Sequence, residues 1–123
     1  MLLITSLNCN GLRNRTKRTE LFNVLQKGKY DIVFLQETFW DQICHQEAES
    51  EWNGDVYSSI YLDSKRRGVS CLIKRDSDLD IIKCVTKPNG RYLQLDINVD
   101  MQTLCFVSIY APNTYLKGEK NIL

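Results

Sequence analysis

Apolar and polar positions switch between two rhythms along the 123 residues, and the switches mark out an ordered series of strands and helices. Leu2-Leu3-Ile4-Thr5-Ser6-Leu7 reads as a short apolar strand that enters a polar turn, Asn8-Cys9-Asn10-Gly11. From Lys17 to Gln26 the stripe of Leu21, Phe22 and Leu25 predicts a helix that stops before Gly28. Ile32-Val33-Phe34-Leu35 follows, a β-branched and aromatic run that predicts a strand covered on both faces. The opening is therefore a strand-helix-strand unit. Residues 41 to 52 are polar and acidic around Ile43, Ala48 and Trp52, and predict an irregular helix lying over an edge. Four strands come next, at about 55–61, 68–74, 79–87 and 91–99. In the last of these Leu93, Leu95, Ile97 and Val99 face one way and Tyr92, Gln94, Asp96 and Asn98 the other, the pattern of a half-covered antiparallel strand. Pro88-Asn89-Gly90 predicts the hairpin turn before it. Leu104 to Tyr110 is apolar on both faces, which predicts a central strand, and it runs into Ala111-Pro112-Asn113. The pattern predicts an α/β fold with a mixed, largely antiparallel sheet and helices on at least one side.

Length confines this series to one domain with a single modest core, burying something over about 60% of the unfolded surface. Sixteen Lys and Arg residues face 15 Asp and Glu residues, so a formal net charge of +1 excludes a global field that would hold a polyanion. Contact with nucleic acid has to come from local clusters. The N-terminal apolar run lacks a basic leader and is too short for a signal peptide or membrane span, which predicts a soluble, intracellular protein with no membrane partner. Cys9, Cys44, Cys71, Cys84 and Cys105 include no close pair, an arrangement expected of reduced, partly buried thiols rather than disulfides or a zinc site. His45 is the only histidine and is expected on a solvated helix or loop.

Candidate chemistry collects at strand ends. Glu37 terminates the most apolar strand, where a desolvated carboxylate requires a cation, a metal or several donors. The turn after the first strand delivers Asn8 and Asn10 to a comparable position. Arg13, Arg15, Lys17 and Arg18 surround the start of the first helix, where positive charge opposes the helix dipole. A phosphate backbone passing beside Asn8 and Asn10 would relieve that repulsion, and an exposed basic face balanced by Glu20 would explain it equally. Arg91 follows the hairpin turn and is a further candidate for the site, whereas Lys65-Arg66-Arg67 reads as a solvated loop.

Five ordered segments resemble a known family. Ser6-Leu7-Asn8-Cys9-Asn10-Gly11-Leu12, Asp31 to Thr38, Gly68-Val69, Gly90-Arg91-Tyr92-Leu93 and Ile109-Tyr110-Ala111-Pro112-Asn113 resemble motifs of the endonuclease/exonuclease/phosphatase superfamily. The resemblance is strongest to the apurinic-like endonuclease domain of LINE-type (non-LTR) retrotransposons. It implies a four-layer αββα sandwich that hydrolyses phosphodiesters with Mg²⁺ or Mn²⁺, with DNA as partner and no small-molecule cofactor. Glu37 would be the metal ligand and Asn10 would help hold the metal. Asn8 would orient a catalytic carboxylate, Tyr110 would position the scissile phosphate and Asn113 would donate to it. These roles suit Mg²⁺, which takes oxygen ligands, keeps several waters and needs few protein anchors.

The family also uses an Asp-x-Asn segment on a later strand, which carries the general base, and a C-terminal Ser-Asp-His; neither is expected in this chain, and His45 lies too early to match the histidine. The chain is accordingly expected to be a partial domain over residues 1–123, truncated at its C-terminus. It would be half of the sandwich, with one sheet, its helices and no second sheet. Such a chain would be catalytically inactive alone, and nuclear if it acts as a retroelement endonuclease. A non-catalytic fragment with residual metal or nucleic-acid binding, or a sugar- or lipid-phosphate phosphodiesterase of the same fold, are the alternatives. The inner face carrying Val69, Cys71, Leu93, Leu95 and Val107 would then lack full cover, which predicts low solubility.

Overall fold

The computed structural model describes residues 1–62 and 67–111. Nine elements follow in order: β1 (Ile4–Asn8), α1 (Arg15–Lys27), β2 (Ile32–Gln36), α2 (Gln42–Glu51), β3 (Gly54–Ser59), β4 (Val69–Lys74), β5 (Asp80–Thr86), β6 (Tyr92–Val99) and β7 (Gln102–Ile109). The α+β class agrees with the sequence pattern. The number of sheets does not: the strands form a four-stranded sheet, β1-β2-β4-β3, and a separate three-stranded sheet, β5-β6-β7.

In the first sheet β1 and β2 run parallel, joined by α1, while β4 pairs antiparallel with both β2 and β3. Both helices lie against one face. Phe22 and Leu25 of α1 and Cys44 and Ala48 of α2 pack with Trp52 on Val33, Leu35, Val56 and Leu72. The opposite face carries Ile32, Phe34, Val69, Cys71 and Ile73, and it meets Leu93, Leu95 and Ile97 from the second sheet. The described residues are thus three layers deep, helices on sheet on sheet. Ile32 to Leu35 is buried from both sides, as its uninterrupted apolar run requires.

Three expectations change here. The single sheet of the sequence reading is two, because the alternating apolar face of β6 is covered by the first sheet rather than by helices. Val69, Cys71, Leu93 and Leu95 are accordingly buried between the sheets, which removes the uncovered inner face. Val107 belongs to the other face: it pairs with Gln94, on the side away from the core, and is 46% exposed. Finally, β7 is the edge strand of its sheet among the described residues, not a central one. Leu104 and Phe106 face the core, but Val107 and Ile109 are exposed, so apolar residues on both faces did not mean cover on both faces.

Local sequence explains the helix boundaries. Asn14 caps α1, its Oδ1 accepting from the Lys17 N–H at 3.0 Å, and Asp41 caps α2 by accepting from the Cys44 N–H at 2.8 Å. Burial of Cys44 and Ala48 orients α2 so that Ile43 points to solvent, against its expected packing role. Phe22 and Trp52 meet edge to face at 5.4 Å and tie α1 to the end of α2. None of the described helices is long and apolar enough to cross a membrane.

Candidate active site

Parallel pairing puts the ends of β1 and β2 side by side, with Asn8 opposite Gln36. The ladder does not stop there. The Cys9 N–H donates to the Gln36 carbonyl at 2.9 Å, Gly11 N–H to the Glu37 carbonyl at 2.7 Å and Leu12 N–H to the Thr38 carbonyl at 2.9 Å. The Asn8–Gly11 turn and the Glu37 segment are therefore one hydrogen-bonded unit. Within it the Asn8 Oδ1 accepts from the Asn10 N–H at 3.1 Å, a local turn that brings Asn8 and Asn10 together.

Both key residues hold left-handed backbone. Asn10 has φ 48° and Glu37 has φ 54°. Asn tolerates this region, but Glu does not favour it, and such a conformation costs on the order of 1–3 kcal/mol unless its surroundings impose it. Gly11, at φ 90°, lies against Phe39, where an added Cβ would sit 2.7 Å from Cδ2. Among the described residues the Glu37 carboxylate takes part in no hydrogen bond or ion pair. A strained residue with an uncommitted carboxylate at a strand end is a candidate ligand.

The second sheet is tied to the same end. Thr38 N–H donates to the Gly68 carbonyl at 3.2 Å, Gly68 N–H to the Gly90 carbonyl at 3.0 Å and Tyr110 N–H to the Arg91 carbonyl at 2.9 Å. Gln36 bridges directly, its Nε2 donating to Ser6 Oγ at 3.0 Å and Ser108 Oγ at 3.2 Å. Neither Gln36 nor Ser108 was a sequence candidate, although Gln36 stands next to Glu37 and faces the same strand end. Tyr110 is partly buried against the inter-sheet core. Asn113 lies outside the described residues.

The basic cluster is largely spoken for. Arg18 is 0% exposed. It donates through Nε and Nη2 to Glu51 at 3.0 and 2.8 Å, through Nη2 to Glu47 at 2.7 Å, and through Nη1 to the carbonyls of Leu12 and Arg13. The bond to Glu51 pushes its pKa further up, above the ordinary guanidinium value. Arg18 is thus a buried brace between α1 and α2, which corrects its reading as a nucleic-acid contact: acids on a helix 29 residues or more away in sequence supply the counter-charge. Lys17 Nζ donates to the Cys9 carbonyl at 2.9 Å and the Gly11 carbonyl at 2.8 Å. Arg13 donates through Nε to the Phe39 carbonyl and lies 3.6 Å from Asp41. Arg15 keeps an open side chain, 82% exposed with Glu51 at 3.9 Å, and Lys17 is exposed as well while its ammonium holds the two carbonyls. Arg91, in the sequence a further candidate for the site as a nucleic-acid contact, is buried, so its side chain is not presented to a passing phosphate backbone.

Other candidates fall away from this site. His45 is half-buried rather than solvated, with Nδ1 2.7 Å from Ser58 Oγ and Nε2 3.3 Å from Glu49. An Asp-x-Asn segment does exist at Asp96-Ile97-Asn98, but Ile97 is the member that faces the core. Asp96 stands opposite Cys105 on the outer face and accepts from Gln94 Nε2 at 3.1 Å, so it is no base for Glu37's end. The Cys9 thiol is turned into the helix-side core, and burial raises its pKa to about 11 against the lowering effect of Lys17. All five cysteines are free.

No cluster of three or more His, Cys, Asp or Glu side chains suited to a metal exists among the described residues. A metal at this end would rest on the Glu37 carboxylate and the Asn10 amide oxygen. An oxygen-only donor set with a single charge, and the nearby thiol turned into the core, fits Mg²⁺ or Mn²⁺ better than zinc.

A profile of the Endonuclease/Exonuclease/phosphatase family matches residues 5–104. The transposon TX1 uncharacterized 149 kDa protein of Xenopus laevis is 29% identical over 113 residues, covering 92% of this chain and 9% of that protein. The AP endonuclease LMAP from Leishmania major superposes with a TM-score of 0.70 at 16% identity, over 91% of this chain and 40% of that one. The catalytic domain of Xenopus laevis APE2 does so with a TM-score of 0.70 at 20% identity, over 94% and 46% respectively. The endonuclease domain of TRAS1, a telomere-specific non-LTR retrotransposon, matches at a TM-score of 0.60 and 17% identity, over 91% and 47%. These structural likenesses speak for the fold. The chain spans less than half the length of each of the three structures.

Proposed function

The chain belongs to the endonuclease/exonuclease/phosphatase family, and from that premise we propose that it carries the metal-anchoring part of a divalent-metal-dependent DNA endonuclease of retrotransposon type. One observation carries the proposal: the left-handed, uncommitted Glu37 is hydrogen-bonded through its own backbone to the Asn8–Gly11 turn. The similarity to a transposon protein supports the retroelement reading over a sugar- or lipid-phosphate phosphodiesterase.

Glu37 and Asn10 hold the cation in this reading. When bound, it neutralises charge on a phosphate oxygen and on the leaving group. Asn8 presents its amide group next to that anchor, with its carbonyl oxygen engaged by the Asn10 N–H. Tyr110, at the end of β7, orients the phosphate, and Asn113 donates to it. Arg15 is an exposed cation able to meet a neighbouring phosphate. Asp96 and His45 both stand away from Glu37's end, so in this reading the 123 residues are inactive alone. A role in nicking chromosomal DNA places the active protein in the nucleus.

Two measurements test the reading. Mn²⁺ titration followed by electron paramagnetic resonance is expected to reveal one site that Glu37→Ala removes; binding unchanged by that substitution overturns the metal assignment. Supercoiled plasmid incubated with the purified chain and Mg²⁺ is expected to stay intact. Robust nicking that Glu37→Ala abolishes would retain the endonuclease reading and refute the inactivity of the chain.

A further inference from the structure

We propose that Lys17 is a positioning residue. Its ammonium bridges the carbonyls on either side of Asn10 and so holds that residue in register with Glu37, a role that rests on the metal-anchoring reading above. The turn from Cys9 to Leu12 belongs to no helix or strand, so its backbone groups need partners from elsewhere. They find them. The N–H groups of Cys9, Gly11 and Leu12 go to the Gln36, Glu37 and Thr38 carbonyls, and that of Asn10 goes to Asn8 Oδ1. The Leu12 carbonyl accepts from Trp40 Nε1 at 2.9 Å. The Cys9 and Gly11 carbonyls, one before and one after Asn10, converge on Lys17 Nζ at 2.9 and 2.8 Å.

Two carbonyls aimed at one cation fix the Cys9–Asn10 and Gly11–Leu12 peptide units and so restrict the stretch between them, Asn10 and Gly11. That restriction favours the left-handed backbone of Asn10, φ 48°, and of Gly11, φ 90°, whose N–H meets the Glu37 carbonyl. Lys17 is itself anchored at its other end, because its backbone N–H is bound by Asn14 Oδ1. Its position in the first turn of α1 sets a positive charge against the helix dipole, and the two carbonyls compensate that charge. An ammonium has three donors, and two are spent on the turn. Arg13 does the corresponding service for the partner segment by donating to the Phe39 carbonyl. Lys17 and Arg13 therefore act within the site, where the sequence left a phosphate contact and an exposed basic face equally open.

The test compares Lys17→Met, Lys17→Arg and Glu37→Ala in the full chain. Amide hydrogen exchange at Gly11 and Leu12 is expected to speed up about tenfold in Lys17→Met, the weight of one or two hydrogen bonds, with β6 amides unchanged. Mn²⁺ affinity should fall by a similar factor. Lys17→Arg keeps the donors and should restore both. Wild-type exchange at Gly11 and Leu12 in Lys17→Met overturns the proposal. So does a drop of about one in the slope of log DNA affinity against log salt without any change in exchange, since that marks a phosphate contact. If Lys17→Met loses protection throughout the chain, Lys17→Arg decides: recovery of Mn²⁺ affinity supports positioning, and failure to recover it on a protected fold refutes it. Glu37→Ala separates the two readings. Unchanged Mn²⁺ binding in that variant refutes the metal site, whereas its loss beside an unaffected Lys17→Met refutes the positioning role alone.

Discussion

The Gly11 N–H donates to the Glu37 carbonyl at 2.7 Å, joining two left-handed turns that lie 26 residues apart in sequence. That bond, flanked by the Cys9–Gln36 and Leu12–Thr38 bonds, continues the parallel β1-β2 ladder past the point where the strands end. The site is therefore an extension of the sheet rather than a pair of independent loops. Its geometry inherits the rigidity of the core beneath.

Gly11→Ala should break this extension. The residue sits at φ 90°, and an added Cβ would meet the Phe39 ring 2.7 Å away. A loss of about 1–3 kcal/mol is expected from backbone strain and crowding together. Urea unfolding monitored by circular dichroism measures it, and a change within experimental error would show that the turn does not require glycine.

Glu37→Gly separates stability from binding. Removing the side chain relieves the penalty of a left-handed Glu, while glycine's own backbone entropy offsets part of that gain. The net expectation is a fold as stable as wild type or more stable by up to about 1 kcal/mol, with Mn²⁺ binding lost. Thermal unfolding and Mn²⁺ titration of the same preparation check both halves. A clear destabilisation would mean that the carboxylate has a structural partner.

Arg18→Met addresses the buried brace. Glu51 would lose its guanidinium while remaining largely enclosed, and Glu47 would turn to solvent. The expected cost is about 2–4 kcal/mol, below the full value for a buried pair because Glu47 is half exposed. Denaturant midpoints measure it. DNA affinity per folded molecule, and its salt slope, should be unchanged, whereas Arg15→Ala should lower the slope by about one.

The pH dependence of stability should register Asp41. The Cys44 N–H at the start of α2, first among the causes, holds its carboxyl below the ordinary value of 3.8, with Arg13 adding to the effect. A depressed folded-state pKa stabilises above the unfolded value, and the contribution is lost as pH falls through the folded one. Asp41→Asn retains a capping oxygen and does not titrate. The two proteins should therefore differ most in unfolding temperature above about pH 4 and converge as pH drops toward 2. A constant difference across that range would assign the effect to packing.

Leu95→Ala probes the interface that removes the expected exposed face. Leu95 is fully buried between the sheets, and truncation should cost about 2–5 kcal/mol. Equilibrium unfolding reads the loss directly. A cost below about 1 kcal/mol would mean that the second sheet is loosely packed on the first.

Much of this was legible in the chain itself. Period-two alternation in β6, the two-sided apolar run of β2 and the stripe of Leu21, Phe22 and Leu25 each report local geometry, because side-chain direction follows from backbone repeat. Strand ends are equally local, so Asn8, Asn10, Glu37 and Tyr110 could be set at them without coordinates. β7 shows where local pattern fails. Its composition cannot distinguish a covered second face from an exposed one, since cover depends on which element arrives there.

The residues themselves dictated the elements, the strand ends and the chemical types gathered there, because these depend on spacing along a single chain. Tertiary structure decided the partition into two sheets and the employment of the cations. Whether Arg18 meets a phosphate or Glu51 depends on what α2 brings within 3 Å of it, and that juxtaposition across 33 residues has no signature in local sequence. Charge is written in the chain. The partner that neutralises it is chosen by the fold.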